Sequence, residues 1–101
     1  MNWHQALSDF QMYLKIERGL SKNSIENYTL DIQAFQNFLN SEKINQTPIE
    51  CTQEVVKKFI YETAKVLSSH TQARRIAGLR SFFDYLIFEK YRASNPTDLI
   101  E

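Results

Sequence analysis

Apolar residues recur along this chain at three- and four-residue spacing in four separate stretches, and no segment alternates apolar and polar positions long enough to mark a strand. Trp3, Leu7, Phe10, Tyr13 and Leu14 trace the first stripe. It predicts a helix from about Trp3 to Arg18, capped by Asn2 and stopped by Gly19, which takes the left-handed conformation at little cost. Ile25, Tyr28, Ile32, Phe35, Phe38 and Leu39 trace the second, over Lys22–Asn40 behind a Ser21 cap. A loop containing Pro48 follows. Thr52 then caps a third helix, with Val55, Val56, Phe59, Ile60, Thr63, Ala64 and Leu67 on its stripe. Glu54 sits in its first turn, where the helix dipole favours an acid. The fourth helix is expected from near Ser69 to about Lys90, with Ala73, Ile76, Leu79, Phe83, Leu86 and Ile87 facing inward. Asn95-Pro96 breaks the chain, because the residue before proline is pushed out of the helical region. The last stretch, TDLIE, can begin a short fifth helix.

Helices with one apolar stripe each bury those stripes only against one another, so the expected fold is an all-α, compact four-helix bundle. A length of 101 residues supports one modest core and no second one.

Charge changes the picture in one place. Twelve basic and twelve acidic residues give zero formal net charge, which excludes a globally basic nucleic-acid binder but not a local basic face. Between Thr63 and Phe83 there is no acid, yet Lys65, Arg74, Arg75 and Arg80 fall there. On a wheel of about 100° per residue, Arg74 and Arg75 point away from Ile76 and towards solvent. Gly78, Ser81 and Tyr85 share that outward side. Arg80 lands near the apolar stripe, where its stem packs and its guanidinium reaches an acid or the rim. Ser68, Ser69, His70, Thr71 and Gln72 surround the helix start, where free N–H groups and the positive dipole end favour anions. The second helix start looks alike, with Ser21, Lys22, Asn23, Ser24 and Asn27. Two such starts side by side would form a donor-rich, positive surface suited to a nucleic-acid backbone. The same serines also read as ordinary caps, and the arginines as solvated charges.

The rest of the fourth helix is aromatic on nearly every side: Phe82, Phe83, Tyr85, Leu86, Ile87 and Phe88 leave almost no polar face. Tyr85 and Phe88 either cover a loop or meet something outside this chain.

Other chemistry is sparse. Cys51 is the only cysteine, which excludes an intrachain disulfide and paired-cysteine zinc sites. Its place just before a helix start can lower a thiol pKa, but no histidine accompanies it nearby, so a reactive role is not expected. His4 and His70 lack ligand spacing, so no metal is expected, and without a glycine-rich phosphate loop no cofactor is either. The amino-terminal stretch is no signal peptide and no apolar run approaches bilayer length, so no membrane association and a cytoplasmic location are expected.

Two fragments carry a resemblance: IERGLSKNSIENYTLDIQAFQNFL and SSHTQARRIAGLRSFFDYLIFEKYRASNP. Their order and spacing resemble the SAM-like, N-terminal core-binding domain of tyrosine site-specific recombinases, of the Xer and phage-integrase type. The resemblance implies a four-helix DNA-binding domain over residues 1–95, with residues 96–101 starting a linker to a catalytic domain that this chain lacks. It implies double-stranded DNA at a recombination site as partner, with other recombinase protomers in a tetramer. Carried over residue by residue, Lys22, Asn23, Ser24 and Asn27 would contact the DNA backbone, and His70, Thr71, Gln72, Arg74 and Arg75 would line the fourth-helix contact. The resemblance implies no catalytic residue in this stretch, since the tyrosine nucleophile belongs to the other domain. The full protein would cut and rejoin DNA strands in recombination or integration. The alternative, motivated by the aromatic excess at Tyr85 and Phe88, is a free-standing helical protein–protein interaction domain.

Overall fold

In a computed structural model that describes residues 1–100, the chain forms four helices: α1 (Trp3–Ile16), α2 (Lys22–Ser41), α3 (Gln53–Ala64) and α4 (Ser69–Phe88). There is no strand among the described residues, so the fold is all-α. Each expected cap is in place. Asn2 Oδ1 accepts the Gln5 N–H at 2.8 Å and Ser21 Oγ the Ser24 N–H at 3.2 Å. Thr52 Oγ1 accepts the Val55 N–H at 3.4 Å and Ser68 Oγ the Thr71 N–H at 3.2 Å. Each bond satisfies one of the N–H groups that a helix start leaves without an intrahelical partner.

The helix ends are less uniform. α1 stops at Ile16, and Gly19 turns the chain at φ 61°. After α2 and α4 the left-handed position is held by lysine: Lys43 at φ 57° and Lys90 at φ 64°. Both ends form a Schellman motif. Ile44 N–H donates to Leu39 O at 2.9 Å and Lys43 N–H to Asn40 O at 3.2 Å. Tyr91 N–H donates to Leu86 O at 2.8 Å and Lys90 N–H to Ile87 O at 2.9 Å. The possible fifth helix does not appear: Pro96–Leu99 is a run of turns, because its bonds reach back three residues rather than four. Glu101, at the end of that stretch, lies outside the described residues.

The chain divides into two compact units, Met1–Pro48 and a second from Ile49 onward. In the first, α1 packs on α2 as an αα-hairpin. Ala6, Leu7, Phe10 and Leu14 of α1 and Ile32, Phe35 and Leu39 of α2 are buried. Trp3 meets Phe35 edge to face at 5.6 Å, and Phe10 meets Tyr28 likewise at 6.1 Å. Trp3 Nε1 donates to the Gln46 carbonyl at 2.8 Å, which ties the loop after α2 back to α1.

In the second unit α3 packs on α4. Val56 and Phe59 are buried on α3, while α4 buries Ile76, Leu79, Phe82, Phe83, Tyr85 and Leu86. Phe82 and Phe83 stand edge to face at 5.2 Å, and the Arg92 guanidinium lies 5.1 Å from the Phe83 ring centre.

α2 and α4 follow one plan. Both are 20 residues long, begin after a serine cap, and end on glutamate followed by left-handed lysine. Ser21 and Ser68 stand 47 residues apart in the sequence, and so do Lys43 and Lys90. At the same offset, the buried Asp31, Ile32, Phe35 and Leu39 match the buried Gly78, Leu79, Phe82 and Leu86.

Candidate nucleic-acid interface

The two helix starts singled out by sequence are built alike. Ser21 has φ −67° and ψ 160°, and Ser68 has φ −66° and ψ 157°. In each, the cap hydroxyl accepts the N–H three residues on and donates to that residue's hydroxyl: Ser21 Oγ to Ser24 Oγ at 3.1 Å, Ser68 Oγ to Thr71 Oγ1 at 3.0 Å. The cap thus occupies one N–H and leaves those of the first two helical residues without an intrahelical acceptor. Neither first turn carries an acid, whereas α3 has Glu54 there. Both starts therefore present the positive end of a 20-residue helix with no carboxylate in the first turn to offset it.

The expected contact residues are distributed as follows. Lys22, Asn23 and Asn27 are exposed on α2, and Ser24 is half-buried through its cap bond. His70 and Arg74 are exposed on α4, and Thr71 is half-buried. Arg75 departs from the wheel: it is half-buried, and its Nε is enclosed without a hydrogen-bond partner.

Gln72 departs further. It is only 9% exposed and faces α3 rather than solvent. Its Nε2 donates to the Ile60 carbonyl at 2.8 Å, and its Oε1 accepts the Thr63 hydroxyl at 3.0 Å. Both ends of the amide hold α3 to α4, so Gln72 belongs to the packing of the hairpin. Thr63, a hydroxyl on the apolar stripe nine residues before the glutamine, gives little warning of this, since its own helix also offers it the Phe59 carbonyl at 2.9 Å.

Tyr85 is corrected in the same way. The wheel set Gly78 and Tyr85 outward, but Gly78 is buried and Tyr85 is 5% exposed. Of the two interface candidates, only Phe88, at 65% exposure, remains at the surface. No acid pairs with Arg80 among the described residues. Its Nη2 donates to the Ile100 carbonyl at 3.1 Å and approaches the Thr97 carbonyl at 3.5 Å.

Sequence reading passed over Lys15, which lines the same shallow recess as Lys22, together with Leu20, Ile25 and Glu26. The recess lies at the α1–α2 turn that Gly19 creates.

Cys51 stands just before the Thr52 cap of α3. It is buried, and that burial pushes its thiol up to about 12, with the nearby Arg92 charge pulling the other way. Burial likewise lowers Arg92, opposed by Cys51. The helix-start effect expected from position is overridden by desolvation. No helix is long and apolar enough to cross a membrane, and no cluster of three or more His, Cys, Asp or Glu side chains that could hold a metal occurs among the described residues.

An all-α chain with these paired, acid-free helix starts falls within a known family. Residues 7–90 match the phage integrase, N-terminal SAM-like domain family, and the chain belongs to it. Among its relatives, tyrosine recombinase XerC of Bacillus subtilis is 36% identical over 92 residues, covering 90% of this chain and 30% of the relative. Tyrosine recombinase XerD of Rickettsia conorii is 35% identical over 91 residues, covering 89% and 29%. Tyrosine recombinase XerC of Herpetosiphon aurantiacus is 31% identical over 97 residues, covering 96% and 32%. The chain thus spans about a third of the length of the curated relatives it matches. No solved structure matches it.

Proposed function

We propose that this chain is the DNA-docking domain of a tyrosine recombinase, a protein that cuts and rejoins DNA strands in site-specific recombination or integration. Residues 1–95 would be the core-binding domain, with the passage to a catalytic domain beginning at residue 96. The observation that carries the reading is the pair of serine-capped, acid-free starts of α2 and α4 within a chain of the integrase family. Lys22, Asn23, Ser24 and Asn27 would hold phosphates from α2. His70, Thr71, Arg74 and Arg75 would act from α4, where an arginine can also reach base edges in the major groove. Gln72 leaves this set because its amide is bonded within the hairpin. Other recombinase protomers would be partners on the same DNA.

With zero formal net charge, the affinity of the chain alone should be low and steeply salt-dependent. Neutralising about four phosphates gives a slope of roughly −3.6 in log K against log salt, so a fourfold rise in salt costs about a hundredfold. A chemical-shift titration with a short duplex at low salt tests the reading. Shifts concentrated at residues 22–27 and 70–75 are expected, and Lys22→Ala should flatten the salt slope by about one. No shift at any salt concentration, with self-association through Phe88, would favour the rival reading of a free-standing interaction module. The exposed Phe88 ring is the observation behind that rival.

A further inference from the structure

Residues 96–101 are expected to start a linker, yet the described part of that stretch is tied by hydrogen bonds to α4 and to Asn95. Asn95 is 4% exposed, and Thr97 is buried completely. Asn95 Nδ2 donates to the Arg80 carbonyl at 3.0 Å and to Asp84 Oδ1 at 2.8 Å. Its Oδ1 accepts the Thr97 N–H at 2.9 Å and the Thr97 hydroxyl at 2.6 Å. Both donors and both acceptor sites of the amide are therefore used. Arg80 closes the circuit from the helix side, through its bond to the Ile100 carbonyl. Two turn bonds, Asp98 N–H to Asn95 O at 3.1 Å and Ile100 N–H to Thr97 O at 3.0 Å, stiffen the loop itself. Pro96 is buried between them and has a fixed φ. A freely swinging tether has no use for a fully satisfied, buried amide.

Resting on the recombinase reading above, we propose that this latch is a positioning device for the strand-cleavage reaction. It fixes residues 95–100 to the Arg80–Asp84 turn of α4, so that docking α4 on a duplex also fixes where the following part of the protein starts. The domain boundary then moves from Asn95 to beyond Ile100. Asn95 is the positioning residue and Arg80 its partner. Neither belongs to the DNA-contacting set.

The experiment has two arms. In the first, amide hydrogen exchange is measured on the 101-residue chain and on Asn95→Ala, Asn95→Asp and Arg80→Ala. The Thr97 and Ile100 amides should be protected in the parent chain and lose about tenfold or more in Asn95→Ala, while the Leu79, Phe82 and Leu86 amides hold theirs. Asn95→Asp keeps the bonds from Thr97 but sets a carboxylate against Asp84, so it should free the loop from α4. Should Asn95→Ala fail to fold, Arg80→Ala, at an exposed position, removes the guanidinium bond to the Ile100 carbonyl and leaves the backbone acceptor of Asn95 in place, so it should loosen Ile100 while Thr97 stays protected. Free exchange at Thr97 in the parent chain would overturn the latch.

In the second arm the same variants are placed in the full-length protein. Duplex binding by the short chain should stay within about twofold, since the substitutions are remote from the contact set. Strand cleavage should fall about tenfold to a hundredfold, as expected for a small displacement of reacting groups. Unchanged cleavage with an open latch would overturn the positioning role. If the short parent chain binds no duplex, the recombinase reading fails and the docking role with it, while hydrogen exchange still decides whether the latch exists.

Discussion

The α1–α2 and α3–α4 hairpins use one plan for two different ends. Their second helices share length, cap, terminal lysine and buried register. They part in burial at five positions, one of them the exposed Asn40 against the half-buried Ile87. Ile25, Thr29, Gln36 and Phe38 of α2 are half-buried, while Gln72, Ile76, Phe83 and Tyr85, the residues 47 places on, are buried. α4 is therefore enclosed on more sides than α2. The exits differ too. The chain leaving α2 is tied back to α1 by the Trp3–Gln46 bond, whereas the chain leaving α4 is tied to α4 itself through Asn95 and Arg80. The comparison teaches that a helix start suited to phosphate can be held constant while the burial behind it is changed.

The largest test of that contrast exchanges matched residues. Phe83→Gln gives α4 the residue that α2 carries at Gln36, but inside a fully buried site. It should cost about 4 kcal/mol or more, from the lost packing and a buried amide without partners. A domain of this size has roughly 5–15 kcal/mol in total, so denaturant unfolding should show a near-collapse. Gln36→Phe, on the half-buried side of α2, should move the midpoint little. Comparable losses in both would show that the two helices are equally enclosed.

Next comes the Gln72 amide between α3 and α4, which reaches both a backbone carbonyl and a hydroxyl, where the first hairpin has the Gln11–Thr29 bond between α1 and α2. Gln72→Ala should lower stability by about 2 kcal/mol, because the Ile60 carbonyl and the Thr63 hydroxyl lose a partner. On the proposed DNA-docking role, the salt slope of duplex binding should stay put. An altered slope with intact stability would return Gln72 to the contact set.

A third test uses pH. The unfolded Cys51 thiol ionises near 9.0, and the folded one keeps its proton to about 12. The folded state then binds more protons than the unfolded one across that window. Its stability is whole below pH 9.0 and declines as pH rises towards 12. The slope from this group is at most about 1.4 kcal/mol per pH unit. Unfolding of the parent and Cys51→Ala chains between those limits should differ in that slope, and parallel curves would show that the thiol is not sealed.

The smallest effect falls on what the hairpins share. Lys43→Gly and Lys90→Gly should each stabilise by about 0.5 kcal/mol, the relief of left-handed strain less the entropy glycine adds to the unfolded chain. Unequal responses in thermal melts would reveal where the plan is not truly repeated.

The sequence carried the helices and caps well, because spacing and short hydroxyl side chains are local signals. Ser21, Thr52 and Ser68 were legible for that reason. What failed was the outward placement of Tyr85 on the wheel, although the near absence of a polar face from Phe82 to Phe88 already pointed to burial on several sides. A wheel centred on Ile76 places Tyr85 outward, but a helix enclosed on several sides has no outward face there. Gln72 was misread because a glutamine beside arginines looks like a surface residue until the carbonyl of Ile60 is seen opposite. The Asn95 knot was legible only as a helix-breaking Asn-Pro pair, since side-chain bonds across eleven and fifteen residues leave no trace in spacing. The lysines at left-handed positions were equally silent, as glycine is the residue that announces such a turn.

The sealed Cys51 has a practical consequence for whoever studies this chain in solution. With its only native thiol buried and held protonated, the protein offers almost no background to maleimide dyes or spin labels near neutral pH. A cysteine placed at an exposed position such as Asn27 or Arg74 would take the probe alone, so distances and duplex encounters can be read without first stripping the wild-type sequence.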